Sequence, residues 1–251
     1  MKLALPLALP LVGLAGVAAS IVNSMAGGGG FIVLPTLLGL GVGPGVANGT
    51  FRVGLVLQNL SGMITFWRRD MLDGRMAARL SPAIALGAVG GAYAATHIPG
   101  RLLKPIFGWV FIAWAIVLVV FPKSFEAPAG GPRKPTWWHD LLGAAVGGYG
   151  GFLQAGVGLP LVAFLVGAVG MPPVRGNAVK MTLVLVYTLL ALPLFIAARQ
   201  VHWPAGGALA VGMLLGAYIG VRLQVREGGA RLVRWVVFFA VLGSGVVMAL
   251  L

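Results

Sequence analysis

The sequence predicts an all-α polytopic membrane protein: two inverted repeats of about five hydrophobic segments each, with short or re-entrant helices at glycine-rich breaks. Three observations predict it. The first is composition: 59% of the 251 residues are hydrophobic, 9% are charged and mean hydropathy is +0.98, which leaves too little polar surface for a soluble chain. The second is a repeat. At an offset of 128 residues GPGVANGTFR, ending at Arg52, falls on MPPVRGNAVK, ending at Lys180, and Leu55-Val56-Leu57 falls on Leu183-Val184-Leu185. Gly87-x-x-x-Gly91-Ala92-Tyr93 matches Gly212-x-x-x-Gly216-Ala217-Tyr218, and Arg101-Leu102-Leu103-Lys104 matches Arg231-Leu232-Val233-Arg234. Several blocks recurring in one order are the signature of an internal duplication, as in many secondary transporters. The third is the stretch from residue 25 to 68, where four glycines, Pro35, a Gly/Pro turn and a full charge interrupt apolar sequence. Irregular backbone at membrane depth is tolerated only where protein buries it or water reaches it, and transporters build their substrate sites at such breaks.

The segments follow in order. Residues 3–23 resemble a signal peptide, but their counterpart in the second half, 141–153, is internal, so they are read as the first membrane segment. Residues 31–40 give about 15 Å of helix, half of the roughly 30 Å hydrocarbon core, and either span poorly or dip and return. Residues 46–67, 82–96 with their flanks and 105–121 are long enough to span. The second half reads 137–153, 159–169, 174–198, 204–223 and 232–251. Residues 1–122 form the first repeat, the Pro/Gly-rich charged stretch at 123–136 the linker, and 137–251 the second repeat. Trp67, Trp137, Trp138 and Trp203 fall at segment ends, where indole rings favour the membrane interface. The stripes Gly143/Gly147/Gly151 and Gly212/Gly216/Gly220 allow close helix packing.

An odd number of crossings per half collects eleven Lys/Arg on one side, in residues 68–79, the linker and 222–234, against Lys2, Arg101, Lys104 and Arg199 on the other. Even crossings divide them eight against six. The odd count follows the positive-inside rule, placing both termini outside the cytoplasm and inverting the halves.

Three basic residues remain: Arg52, Arg175 and Lys180, within or at the edges of the two third segments. All five acids, Asp70, Asp73, Glu126, Asp140 and Glu227, lie in loops or near segment ends. A Lys or Arg at a membrane centre costs about 2.5–3.5 kcal/mol on insertion scales and normally faces a cavity or a partner. With no carboxylate nearby, the expected partner is a dissolved anion; the alternative is that Arg52 and Lys180 snorkel to the nearer interface. Asn48, Thr50, Asn177 and the breaks at Gly28, Gly29 and Gly30 and at Gln154, Gly156 and Gly158 offer N–H and hydroxyl donors that suit an oxyanion. Asn59, seven residues after Arg52, shares its helical face and is preferred over Gln58 as a pore residue. Each of these polar residues has a plainer reading as an interhelical hydrogen bond.

Other chemistry finds little support. Without cysteine there are no disulfides, thiolate metal sites or cysteine nucleophile. The glycine run lacks the Gly-Lys-Ser/Thr of a phosphate-binding loop, and His97, His139 and His202 stand apart near segment ends, so neither an enzyme, a metal site nor a cofactor is expected. The net charge of +13 sits in short loops rather than on one soluble face, which argues against nucleic acid.

AGGGGFIVLP followed by VANGT, and GGYGGFLQAGVGLPLV followed by NAVK, resemble the TauE/SafE sulfite exporter family of bacterial and plant permeases, over nearly the whole chain. The resemblance implies a duplicated all-helical permease of the bacterial cell (inner) membrane, moving sulfite, organosulfonates or related oxyanions, commonly outward. It carries the family's glycine break onto Gly27 to Gly30, its small-Gly-Thr motif onto Asn48 to Thr50 and its second-half lysine onto Lys180. The second break, Ala155-Gly156-Val157-Gly158, departs from the commoner three-glycine form, and Arg52 is not general to the family; both departures bear on substrate more than fold. The partners expected are a small anionic substrate and the lipid bilayer, with a homo-oligomer left open. An anion channel and a non-transporting membrane scaffold are the alternative functions.

Overall fold

The computed structural model describes residues 5–120 and 131–225. The expected tenth segment, the Arg231–Arg234 half of one repeat block, and Glu126 and Glu227 lie outside the described residues.

Every described element is helical: α1 (Leu5–Ala26), α2 (Gly30–Gly39), α3 (Pro44–Trp67), α4 (Gly74–His97), α5 (Gly100–Val120), α6 (Trp137–Phe152), α7 (Gly158–Val162) continuing into a π-helical turn (Ala163–Ala168), α8 (Pro173–Ala197) and α9 (Trp203–Val225). Local chemistry sets these boundaries. Gly41 and Gly170 take left-handed conformations, at φ 84° and 79°, and swing the chain into α3 and α8. Each of those helices opens on proline, whose fixed φ and missing N–H suit the first helical turn. Asp73 caps α4 by accepting from the Met76 N–H at 2.9 Å. The helix therefore begins at Gly74, ahead of the expected residue 82, and carries Pro82 inside it. Thr136 and His139 form a reciprocal capping box at the start of α6.

Three helices meet the length and apolarity of a membrane span: Leu7–Met25 within α1, α8, and Trp203–Gln224 within α9. α3 and α4, at 24 residues each, are about 36 Å long and also long enough, but carry more polar side chains. α2 and α7 with its π turn are the short apolar pieces expected after the glycine breaks. The chain is an all-α membrane protein.

The packing exchanges partners between the halves. α1 lies along α9 while α6 lies along α4; α3 packs on α9 and α8 on α4; and α3 meets α8. Both glycine stripes serve these contacts. A Cβ on Gly212 or Gly216 would meet the backbone of Gly13 or Val17 in α1, and one on Gly147 or Gly151 the backbone of Ile84 or Ala88 in α4. Gly87 and Gly91, the sequence counterparts of Gly212 and Gly216, touch Ala144 and Gly148 of α6 in the same way. Small residues let these backbones approach closely where apolar burial alone supplies no driving force between helices in lipid.

Candidate functional site

Helices that stop in the middle of an apolar body leave bare carbonyls, because the last four C=O groups of a helix have no partner within it. α1 stops at Ala26 and α6 at Phe152, and the breaks that follow them meet each other. A Cβ on Gly27 would strike the backbone of Gly158, one on Gly30 that of Ala155, and one on Gly156 the ring of Phe31. Gly28 and Gly29 complete the first crossing strand, with Gly29 lying against the Ala19 carbonyl of α1. A side chain at Gly27, Gly29, Gly30 or Gly158 would not fit at this crossing. Gly27 and Gly156 are also left-handed, as is Gln154 at φ 60°, where a non-glycine residue is strained.

Carbonyls at both helix ends receive donors from the opposite half of the chain. At the end of α6, Arg52 of α3 donates through one terminal nitrogen to Gly150 O at 3.1 Å and to Gly151 O, and through the other to Gln154 Oε1 at 3.0 Å. Asn48 donates to Phe152 O at 2.8 Å. At the end of α1, Lys180 of α8 donates to Asn23 O at 2.9 Å, and Asn177 donates to Ser24 O and, at 2.6 Å, to Gln224 Oε1 of α9. Asn23 and Gly151 lie the same 128 residues apart as Arg52 and Lys180. A cation from each half of the sequence thus lies on a helix-end carbonyl of the other half.

Neither cation snorkels: Arg52 is 0% exposed and Lys180 2%. The Arg52 guanidinium lies 4.3 Å over the Phe195 ring, and neither it nor Lys180 has an acidic partner among the described residues. Asp140 instead pairs with Arg79 at 2.6 Å, at the exposed ends of α4 and α6. A helix C-terminus carries about half a negative charge. Both cations are thus met by hydrogen-bonded carbonyls and helix-end dipoles, and by no full negative charge among the described residues.

The remaining expected residues are buried with framework bonds. Thr50 accepts from the His202 N–H at 2.8 Å, just ahead of α9, and Asn59 donates to the Leu55 carbonyl of its own helix at 2.7 Å. Three residues missing from the sequence reading join the site. Gln154 Nε2 donates to the buried Tyr187 hydroxyl at 3.0 Å, Phe195 lies under Arg52, and Gln224 receives Asn177. Tyr187 had a signal, as the one phenol in the apolar run of α8. Gln224 and Phe195 had none.

Broken, crossing helices with buried cations at their ends, in an all-helical membrane body, define the class: a multi-pass membrane transporter. The sequence model of the family described as "Sulfite exporter TauE/SafE" matches residues 12–248, and the chain belongs to that family. It is 27% identical over 210 residues, 84% of this chain and 80% of the relative, to "Probable membrane transporter protein ORF9" of Sinorhizobium sp. It is also 27% identical over 224 residues, 89% and 83% of the two chains, to "Probable membrane transporter protein YfcA" of Escherichia coli (strain K12). A "Probable membrane transporter protein" of Haemophilus influenzae is 26% identical over 217 residues, 85% of this chain and 84% of that one. These names describe transporters rather than enzymes. No solved structure matches the chain.

Proposed function

We propose that the protein is a permease for small sulfur-containing oxyanions, sulfite or an organosulfonate, exporting them by alternating access between two inverted halves. One observation carries the reading: two fully buried cations, placed alike in the two halves, are matched by helix-end carbonyls and by no acid among the described residues. The buried positive charge makes the crossing attractive to a small anion and costly for a cation. Arg52 and Lys180 supply that attraction. Asn48, Thr50, Asn59, Asn177 and Gln154 with the glycine backbone at 28–30, 156 and 158 shape the surroundings of the passage.

The exchanged helix pairing supports a duplication with boundaries at 1–122 and 137–251, joined by a linker at 123–136. Each half holds the broken helix of the other through a cation. Rocking one half against the other moves both cations relative to the opposite helix end, which is how a central site can be offered to each side in turn. The Lys/Arg distribution supports a cytoplasmic linker and two extracytoplasmic termini in a bacterial inner membrane.

Purified protein in detergent is expected to be stabilised by sulfite and by small sulfonates, and not by sodium or by quaternary amines at equal ionic strength. At 100 times Kd the gain is about 2.7 kcal/mol, an upward shift of several degrees in melting temperature. A panel of sulfite, sulfate, thiosulfate, sulfonates and carboxylates then ranks the substrates. Equal, small shifts with every salt would remove the anion reading.

A further inference from the structure

Among the described residues, three side chains have every polar atom buried and without a hydrogen-bond partner: Ser24, Gln58 and Thr188. Ser24 lies at the tight contact of α1 with Gly220 of α9, a place for packing. The other two lie on the central pair of helices. Thr36, Thr65, Ser81 and Thr182 each turn the hydroxyl back to the carbonyl four residues earlier, the usual resting place for such a group in a helix. Thr188, 0% exposed, does not. Gln58, also 0% exposed, leaves both its amide nitrogen and its amide oxygen unused, although a buried amide without a partner is expensive.

Packing puts the two at one level. α3 and α8 run antiparallel: Gly49 abuts Gln200 and Phe195, Arg52 lies over Phe195, and Gly62 abuts Met181. Between these contacts Gln58 falls at the height of Tyr187 and Thr188. It occupies one helical row with Gly54 and Gly62, which have no side chains and face the thioethers of Met213 and Met181. Gln58 is thus the only side chain in its row between two flexible sulfur groups. The Tyr187 hydroxyl at this level accepts from Gln154, which in turn accepts from Arg52, and its own proton has no acceptor among the described residues. A hydrogen-bond chain that begins on a guanidinium polarises the phenol and makes it a better donor.

We infer that Gln58, Thr188 and Tyr187 form the oxygen-binding part of the substrate site, an uncharged trio at the crossing of α3 and α8 that takes a singly charged oxyanion and favours one bearing an O–H, such as hydrogensulfite, over a sulfonate, which lacks it. The amide N–H and the two hydroxyls donate to the anion's oxygens. The amide oxygen of Gln58 accepts the anion's own proton, which a fully deprotonated dianion lacks. Arg52 and Lys180 supply charge from the helix ends and need not touch the anion. The inference rests on the permease reading and assigns the direct contacts within it.

The test is sulfite flux and sulfite-dependent thermal shift for wild type, Gln58→Leu and Thr188→Val in lipid vesicles and detergent. Loss of one hydrogen bond to a charged ligand is expected to raise the KM for sulfite about tenfold to a hundredfold in each variant. The anion-free melting temperature of Gln58→Leu is expected to stay level or rise, because an unpaired buried amide is gone. Thr188→Val keeps the shape of the side chain, so it reports even if Gln58→Leu folds poorly. Saturable wild-type flux with KM unchanged in both variants would overturn this inference and leave the permease standing. No wild-type flux with any oxyanion would overturn both.

Discussion

Arg52→Leu is expected to lower the melting temperature of the purified protein by roughly 5–12 °C and to bring anion flux to background. The substitution removes the donor from three buried acceptors at once: Gly150 O, Gly151 O and Gln154 Oε1. A stranded buried acceptor costs about 1–3 kcal/mol, and leucine recovers part of this by sparing the burial of a guanidinium. A net loss of about 3 kcal/mol results. Gln154 also loses one of the two side-chain bonds that hold its left-handed backbone, so the break itself loosens. Arg52→Lys distinguishes the two roles of the residue. It restores the charge but not the fork that spans two carbonyls and an amide, so stability stays low while part of the flux returns. Wild-type flux per folded molecule in Arg52→Leu would reduce Arg52 to a helix cap.

Gly158→Val is expected to give no monodisperse folded protein. A Cβ there would lie on the Gly27 backbone, and neither strand can retreat because each is the continuation of a buried helix. Gly27→Ala adds a second fault, since Gly27 holds φ at 89°. Gly90 supplies the control. It is exposed, within α4, with nothing within 4 Å of an added Cβ, so Gly90→Ala is expected to stabilise the helix by about 0.5–1 kcal/mol. Size-exclusion profiles of the three variants check both expectations. A well-folded Gly158→Val would mean that the two breaks are not pressed together.

Much of this architecture was legible in the chain because lipid imposes strict rules on sequence. Apolar runs located each helix among the described residues, though α4 starts eight residues and α5 five residues ahead of the expected segment, and glycines mark where backbone meets backbone, since nothing larger fits there. Arg52 and Lys180 stand out because a charge in apolar sequence needs an explanation. Their partners were not legible. Counting side chains points to a missing carboxylate or a dissolved anion, whereas Gly150, Gly151 and Asn23 contribute carbonyls, which every residue has and no sequence pattern marks. The choice between Gln58 and Asn59 shows the same limit. Helical phase puts Asn59 on the face of Arg52, but Asn59 spends its amide on Leu55 of its own helix while Gln58 is left unpartnered. Phase gives direction around a helix and says nothing of what a side chain then bonds.

Lys180→Met offers the most direct test. Asn23 O still accepts from the Gly27 N–H after the substitution, so charge is removed without stranding a carbonyl. Sulfite flux through vesicles containing equal amounts of folded wild type and Lys180→Met is the measurement. Saturable flux in the wild type and background flux in the variant, at similar melting temperatures, is the predicted result. Equal flux in both would contradict a passage that depends on buried positive charge.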